Sequence, residues 1–224
     1  MRNVIRTTEP DSLRRGARKW TDDLLNAIEN SNNNDTPVPK KFYDRYKKQD
    51  VLDNLKRMYG DDDGTCLCCY CESEIEAVSF PQIEHRKPKS IYPESTFDWY
   101  NLHLVCETCN TAKGNKYNVD APILDAVKDI PIKEHLGYKV NQARGVYRET
   151  ITDRGITTVK HADLDRPSLL KARLKVYLSM IEAVQSINEL DQSPRAYTAK
   201  KMLHDKCLEE YGSLIKWVLG TFNI

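Results

Sequence analysis

The chain has 224 residues, with 34 Lys and Arg against 33 Asp and Glu and a formal net charge of +1. Hydrophobic residues make up 40% and charged residues 30%, which describes a water-facing chain long enough to bury a core without a disulfide framework. The charge balance excludes a uniformly basic protein that coats nucleic acid, so a polyanion must be met by local patches or with a partner's help.

No window reaches the roughly 18 apolar residues of a membrane span, and the first 20 residues lack the apolar run of a signal peptide. A cytoplasmic location is expected, where cysteines serve as metal ligands or free thiols more often than as disulfides. Leu13, Ala17, Trp20, Leu24 and Ile28 recur at helical spacing after Pro10, predicting an amphipathic helix over 12–29. Residues 31–39 are polar, Asn-rich and Pro-bearing and read as an exposed loop. Val51, Leu52, Leu55, Met58 and Tyr59 predict a second helix ending near Gly60. From 64 to 120 periodicity fades, and short apolar pieces alternate with Gly, Pro, Cys and Asn, the texture of a small metal-organised module. A hairpin around Ala143-Arg144-Gly145 is predicted within 135–149. Pro167 opens a helix with Leu170, Leu174, Tyr177, Ile181 and Val184 on one face. Ser193 and Pro194 open another that carries Leu203, Cys207, Tyr211, Leu214 and Val218, with Cys207 expected as a buried small hydrophobe. The chain thus divides into an N-terminal helical arm (1–63), a Cys-rich module (64–120) and a mixed segment followed by a helical region (121–224), an α+β plan.

Charge is local. Residues 1–20 hold six Arg and Lys against two acids, 38–58 hold seven against three, and 166–175 hold four against none, while 60–76 hold six acids and no base. Each basic run is either a binding patch or an ordinary solvated helix face.

Two C-x-x-C pairs, Cys68 with Cys71 and Cys106 with Cys109, offer four thiolates for a tetrahedral Zn²⁺ site. Cys66 with Cys69 has the same spacing, so the register of the first pair stays open on spacing alone. Four sulfur ligands leave no open position, which makes such a site structural. The 34 residues between the pairs hold Glu84-His85, and Asn110 follows the second pair directly. A carboxylate and an amide oxygen are hard ligands suited to Mg²⁺, and an imidazole is a general base near neutral pH. With Lys87, Lys89 and further lysines nearby, the constellation points to phosphodiester hydrolysis.

The pattern C-x-Y-C, E-H-x-x-P-K-S and Y-x-N-L-x-x-x-C-x-x-C-N-x-x-K-G resembles the HNH (ββα-metal) endonucleases with a four-Cys zinc site. The opening Arg-x-x-x-Pro-x-x-Leu, the segment YGDDDGTCLCCYCES and the helical tail resemble the nuclease subunit of Septu-type anti-phage systems, some of them retron-associated. The resemblance implies a small ββα module with structural zinc, flanked by helical extensions. It assigns Cys68, Cys71, Cys106 and Cys109 to zinc through the C-x-Y-C form. It implies His85 as general base, Glu84 and Asn110 as ligands of a catalytic Mg²⁺ or Mn²⁺, and Asn101 as the residue holding the loop that presents His85. Lys113 and Lys116 are implied as phosphate contacts, and Lys87 and Lys89 are expected to face phosphate. Glu84 stands where Asp is usual, and Asn110 where the last His is usual. His103 is either a second active-site histidine or structural, and His135, His161 and His204 read as structural or surface residues. The chain has no P-loop, so the resemblance implies a separate PtuA-like ATPase partner; duplex DNA is the expected substrate, with RNA open. The rival function is a non-catalytic, zinc-stabilised module that binds nucleic acid or a partner.

Overall fold

The computed structural model describes residues 1–60, 64–76, 79–141, 143–190 and 194–224. Ser193, the expected helix opener, and the acidic run Asp61–Asp63 lie outside them. Helix α1 spans Asp11–Asn34 and buries Leu13 and Leu24. It therefore runs through the first part of the segment expected to be a loop. It stops where Asp35 turns left-handed (φ 48°), its amide donating to the Ser31 carbonyl. A single αL residue is a sufficient stop, whereas the Asn run alone is not. A short α2 (Lys40–Tyr43) and a 3-10 turn (Asp44–Tyr46) lead to α3 (Gln49–Tyr59), which buries Val51, Leu55, Met58 and Tyr59.

At the centre, β1 (Gln82–His85) pairs antiparallel with β2 (Leu102–Val105), with Glu84 opposite His103 and His85 opposite Leu102. Helix α4 (Glu107–Lys113) follows β2 through Cys106, and Gly114 (φ 48°) ends it in a conformation that L side chains resist. Two strands and one helix do not make an independent core. The knuckle strand supplies the missing wall: Leu67 donates to Tyr59 O, and Cys69 donates to Leu104 O at 2.9 Å. The extended N-terminus covers another side, with Arg6 Nη1 donating to Leu102 O (2.8 Å) and Trp99 Nε1 to Thr7 O (3.1 Å).

The predicted hairpin forms as β3 (Leu136–Asn141) and β4 (Gly145–Thr150). Helix α5 (Asp153–His161), not predicted from the apolar spacing, is capped by the Thr152 hydroxyl, which accepts from the Gly155 amide. Helix α6 spans Pro167–Asn188. The last predicted helix is broken into α7 (Pro194–Asp205), a 3-10 turn (Lys206–Leu208) and α8 (Gly212–Phe222). At the break, a Cβ on Gly212 would meet the Cys207 carbonyl at 2.0 Å, so only glycine allows the chain to fold back here. The fold-back has a target. The Tyr211 amide reaches Glu72 O, and the Ser213 amide reaches Glu72 Oε2 at 2.9 Å.

Glu72 directly follows Cys71, is 1% exposed and also accepts from Arg148 Nη2 of β4 at 3.1 Å. One carboxylate thus ties the knuckle to β4 and α8. Replacing Glu72 by Ala leaves the buried Arg148 guanidinium without its counter-charge. We expect a loss of about 3–5 kcal/mol in a denaturant titration, with Glu72→Gln losing less.

Candidate active site

The four sulfurs of Cys68, Cys71, Cys106 and Cys109 lie within 4.8 Å of one another, and all four residues are buried. Cys71 and Cys106 are 3.9 Å apart. Four sulfurs on bonds of about 2.3 Å define a tetrahedron with edges of about 3.8 Å, so the donors fit a zinc ion. Cys66 and Cys69 stand outside this cluster: Cys69 is turned toward Tyr59, and Cys66 toward the Gly64 carbonyl. Arg166, at the start of α6, donates from Nη1 to Cys109 Sγ at 3.4 Å. Such a hydrogen bond offsets the negative charge that four thiolates carry around a dication. Of the four cations in 166–175, Arg166 thus turns to the cysteines and Arg173 is fully buried, while Lys171 and Lys175 are exposed.

The cluster anchors α4 against β1. Gln82 and Glu84 share one face of the strand, and Asn110 and Lys113 share one face of the helix. The two faces meet in rungs: Asn110 Nδ2 donates to Gln82 Oε1, and the Lys113 ammonium pairs with Glu84 Oε1. Glu84 is 5% exposed. Burial pushes its carboxyl up to about 7 against the opposing pull of Lys113. Glu84 Oε1 makes no aligned hydrogen bond among the described residues. The Glu84 carboxylate and the Asn110 amide oxygen are hard donors of the type Mg²⁺ takes, and a cation held there would share Glu84 with Lys113.

His85 is 6% exposed and lies edge-on to the Tyr46 ring, 4.6 Å between centroids. Its Nε2 is 2.9 Å from the Thr96 carbonyl. A carbonyl only accepts, so Nε2 carries the hydrogen in the neutral ring and Nδ1 keeps the lone pair. Burial pushes the imidazole down to about 3. The unprotonated ring is therefore expected to persist well below the usual histidine range. Nitrogen-detected NMR of the protein at about pH 5 checks this, the expected result being a neutral Nε2–H tautomer for His85.

Asn101 is buried and spans the loop after β1. Its Nδ2 donates to Lys87 O and Ser95 O, both at 3.0 Å, and its Oδ1 accepts from the Lys87 amide at 2.7 Å. The lysines separate. Lys113 is buried on Glu84 and also donates to the His85 carbonyl at 2.9 Å. Lys116 is exposed and donates to Ala112 O. Lys87 lies over Tyr92, 5.4 Å from the ring centroid. Lys89 turns to the N-terminal arm, 3.4 Å from both Asp44 Oδ1 and Tyr46 Oη. His103 is 1% exposed, with Nδ1 2.6 Å from Tyr59 Oη and Nε2 3.9 Å from Asp125. It lies in the packed interior, opposite Glu84 across the β1–β2 pair. His135 is engaged with the Thr152 hydroxyl at 2.9 Å.

Residues 68–116 match the model of the HNH endonuclease family. This segment is an HNH endonuclease domain. It holds β1, β2, α4 and all four clustered cysteines. The chain is 28% identical over 128 residues to the Septu protein PtuB of Bacillus thuringiensis, covering 56% of this chain and 48% of that protein. It is 28% identical over 174 residues to the Septu protein PtuB of Bacillus mycoides (strain KBAB4), covering 63% of this chain and 55% of that protein. The chain spans about half the length of these curated relatives. No solved structure matches it. No helix among the described residues is long and apolar enough to cross a membrane.

Tyr46, Gln82 and Arg166 border the HNH site without appearing among the sequence-derived candidates. Gln82 was legible as the residue two before Glu84 on the same strand face. Tyr46 and Arg166 come from distant segments, and no local spacing marks them.

Proposed function

We propose that the chain is a metal-dependent HNH endonuclease that hydrolyses nucleic-acid phosphodiester bonds. The observation that carries this reading is the His85 imidazole inside the HNH domain, with Nε2–H committed to the Thr96 carbonyl and Nδ1 left as a base. In this reading Nδ1 accepts the proton of the attacking water, and Asn101 holds the loop that fixes the ring's surroundings. Glu84 and Asn110 would hold Mg²⁺ or Mn²⁺, which when bound supplies charge neutralisation at the phosphate and the departing oxygen. Lys113 pairs with Glu84 and positions it, and Lys116 is the exposed cation on the same helix end. The four cysteines would hold Zn²⁺ structurally. Distant similarity to the two Septu PtuB proteins supports a role as the nuclease of an anti-phage complex, with a PtuA-like ATPase as partner.

A second reading is favoured by two observations: His85 is buried, and Glu84 is already paired with Lys113. Both facts suit a zinc-stabilised binding module that does not cut. The chain copurified with its ATPase partner and assayed on plasmid DNA and total RNA, with Mg²⁺ or with chelator, separates the two. Metal-dependent cutting supports the nuclease, and none in any condition supports the module.

A further inference from the structure

We propose that the groove between the N-terminal arm and the HNH domain is the track for a polynucleotide strand, gripped by Lys47 and Lys48. The inference rests on the nuclease reading and adds where the substrate lies. The groove holds about 490 Å³. One wall is Tyr46, Lys47 and Lys48, from outside the HNH match, and the other is Gln82, Ile83 and Asn110 of β1 and α4.

Three observations select this occupant. First, charge: the lining carries two lysines and no carboxylate. Lys47 and Lys48 are exposed, so both can turn to a phosphate. Asp44, the acid paired with Lys47 (3.1 Å), is shared with Lys89 (3.4 Å), so that trio keeps a net positive charge. Lys48 lies over Trp20, 5.9 Å from the ring centroid, and makes no ion pair among the described residues. Second, direction: the groove runs onto Asn110, whose Nδ2 is committed to Gln82, so a strand within it meets the rung where the hard donors lie. Third, attachment: Tyr46 stacks edge-on against His85, so the wall bearing both lysines is fixed to the ring of the proposed base. Phosphates pair with the lysines, and the half-buried Ile83 and Leu52 give sugar or base an apolar side. A chain of net charge +1 then needs no uniformly basic surface, because its cations are placed along the path of the strand.

The test uses the full chain without added Mg²⁺ or Mn²⁺, so that binding is read without cutting and the contact of Tyr46 with His85 stays in place. Fluorescent DNA and RNA oligonucleotides, single-stranded and duplex, are titrated across a salt series. Replacing both groove lysines (Lys47→Gln with Lys48→Gln) is expected to weaken binding roughly 10-fold or more near 0.1 M salt. The slope of log K against log salt is expected to fall by about 1.4 on single strands or about 1.8 on duplex. Lys171→Gln with Lys175→Gln removes the same charge from the exposed face of α6 and is expected to change neither quantity. The polymer that shows the larger loss identifies the strand as DNA or RNA. Unchanged affinity and slope in the groove variant, an equal loss in the α6 variant, or no binding by the parent at low salt each overturns the proposal. So does loss of partner copurification with nucleic-acid affinity unchanged, which would make the groove a protein interface. Failure of the nuclease reading shows elsewhere, as cutting that survives His85→Ala.

Discussion

Replacing Cys106 by Ser is expected to release the bound metal and unfold the region around residues 64–120, the largest stability effect we expect of any single substitution. Four thiols are buried within 4.8 Å of one another. Structural zinc binding by such ligands is worth about 10–16 kcal/mol at neutral pH, against a total stability of about 5–15 kcal/mol for a typical domain. Losing one sulfur ligand therefore removes a share of binding energy comparable to the whole stability. The consequence reaches past the knuckles. Cys106 sits at the start of α4, and Cys69 and Cys71 connect to β2 and, through Glu72, to β4 and α8. Cys68→Ser, Cys71→Ser and Cys109→Ser are expected to behave alike. Cys66→Ser is expected to keep the metal, because its sulfur is turned to the Gly64 carbonyl outside the cluster. Metal content after gel filtration, together with circular dichroism, checks both statements. Retention of one equivalent by Cys106→Ser, or its loss from Cys66→Ser, would reverse the assignment.

The second large effect is on activity. His85→Ala is expected to lower cutting by about 10²–10⁴-fold, the range for loss of a general base. The fold should survive. The side chain removed packs on Tyr46 and bonds a single carbonyl, so the stability cost falls within the ordinary 0.5–3 kcal/mol of a point mutation. The same zinc content and a cooperative melt, combined with lost cutting, separate this variant from the cysteine series. Cutting at the parent rate by a folded His85→Ala protein would leave the binding-module reading standing.

Much of this was legible locally. Apolar spacing marks α1 from Leu13 to Ile28, α3 from Val51 to Tyr59, and α6 after Pro167, because an amphipathic face repeats every three or four residues. The β3–β4 hairpin shows in its turn residues. Helix α5 does not, since Gly155, Thr157 and Thr158 make its buried face without an apolar stripe. The break between α7 and α8 is also silent in the periodicity. Its cause is a carboxylate about 140 residues earlier, Glu72, which bonds Ser213.

The sequence by itself determined the chemistry on offer: two thiolate pairs, an adjacent carboxylate and imidazole, and an amide directly after the second pair. Residue type and short spacing carry that information, because a metal knuckle or a strand end is built from neighbours in the chain. Spacing left open which sulfurs converge, since Cys66–Cys69 and Cys68–Cys71 are spaced alike; the C-x-Y-C resemblance pointed to the second pair, and the tertiary structure brings that pair to Cys106 and Cys109. The fold alone turned Lys113 inward onto Glu84, engaged His103 with Tyr59, and brought Tyr46 against His85 and Arg166 against Cys109. The physical reason is the same in each case. Where a charge ends up depends on which desolvated partner must be neutralised, and that partner comes from a different element, at a distance no local pattern encodes.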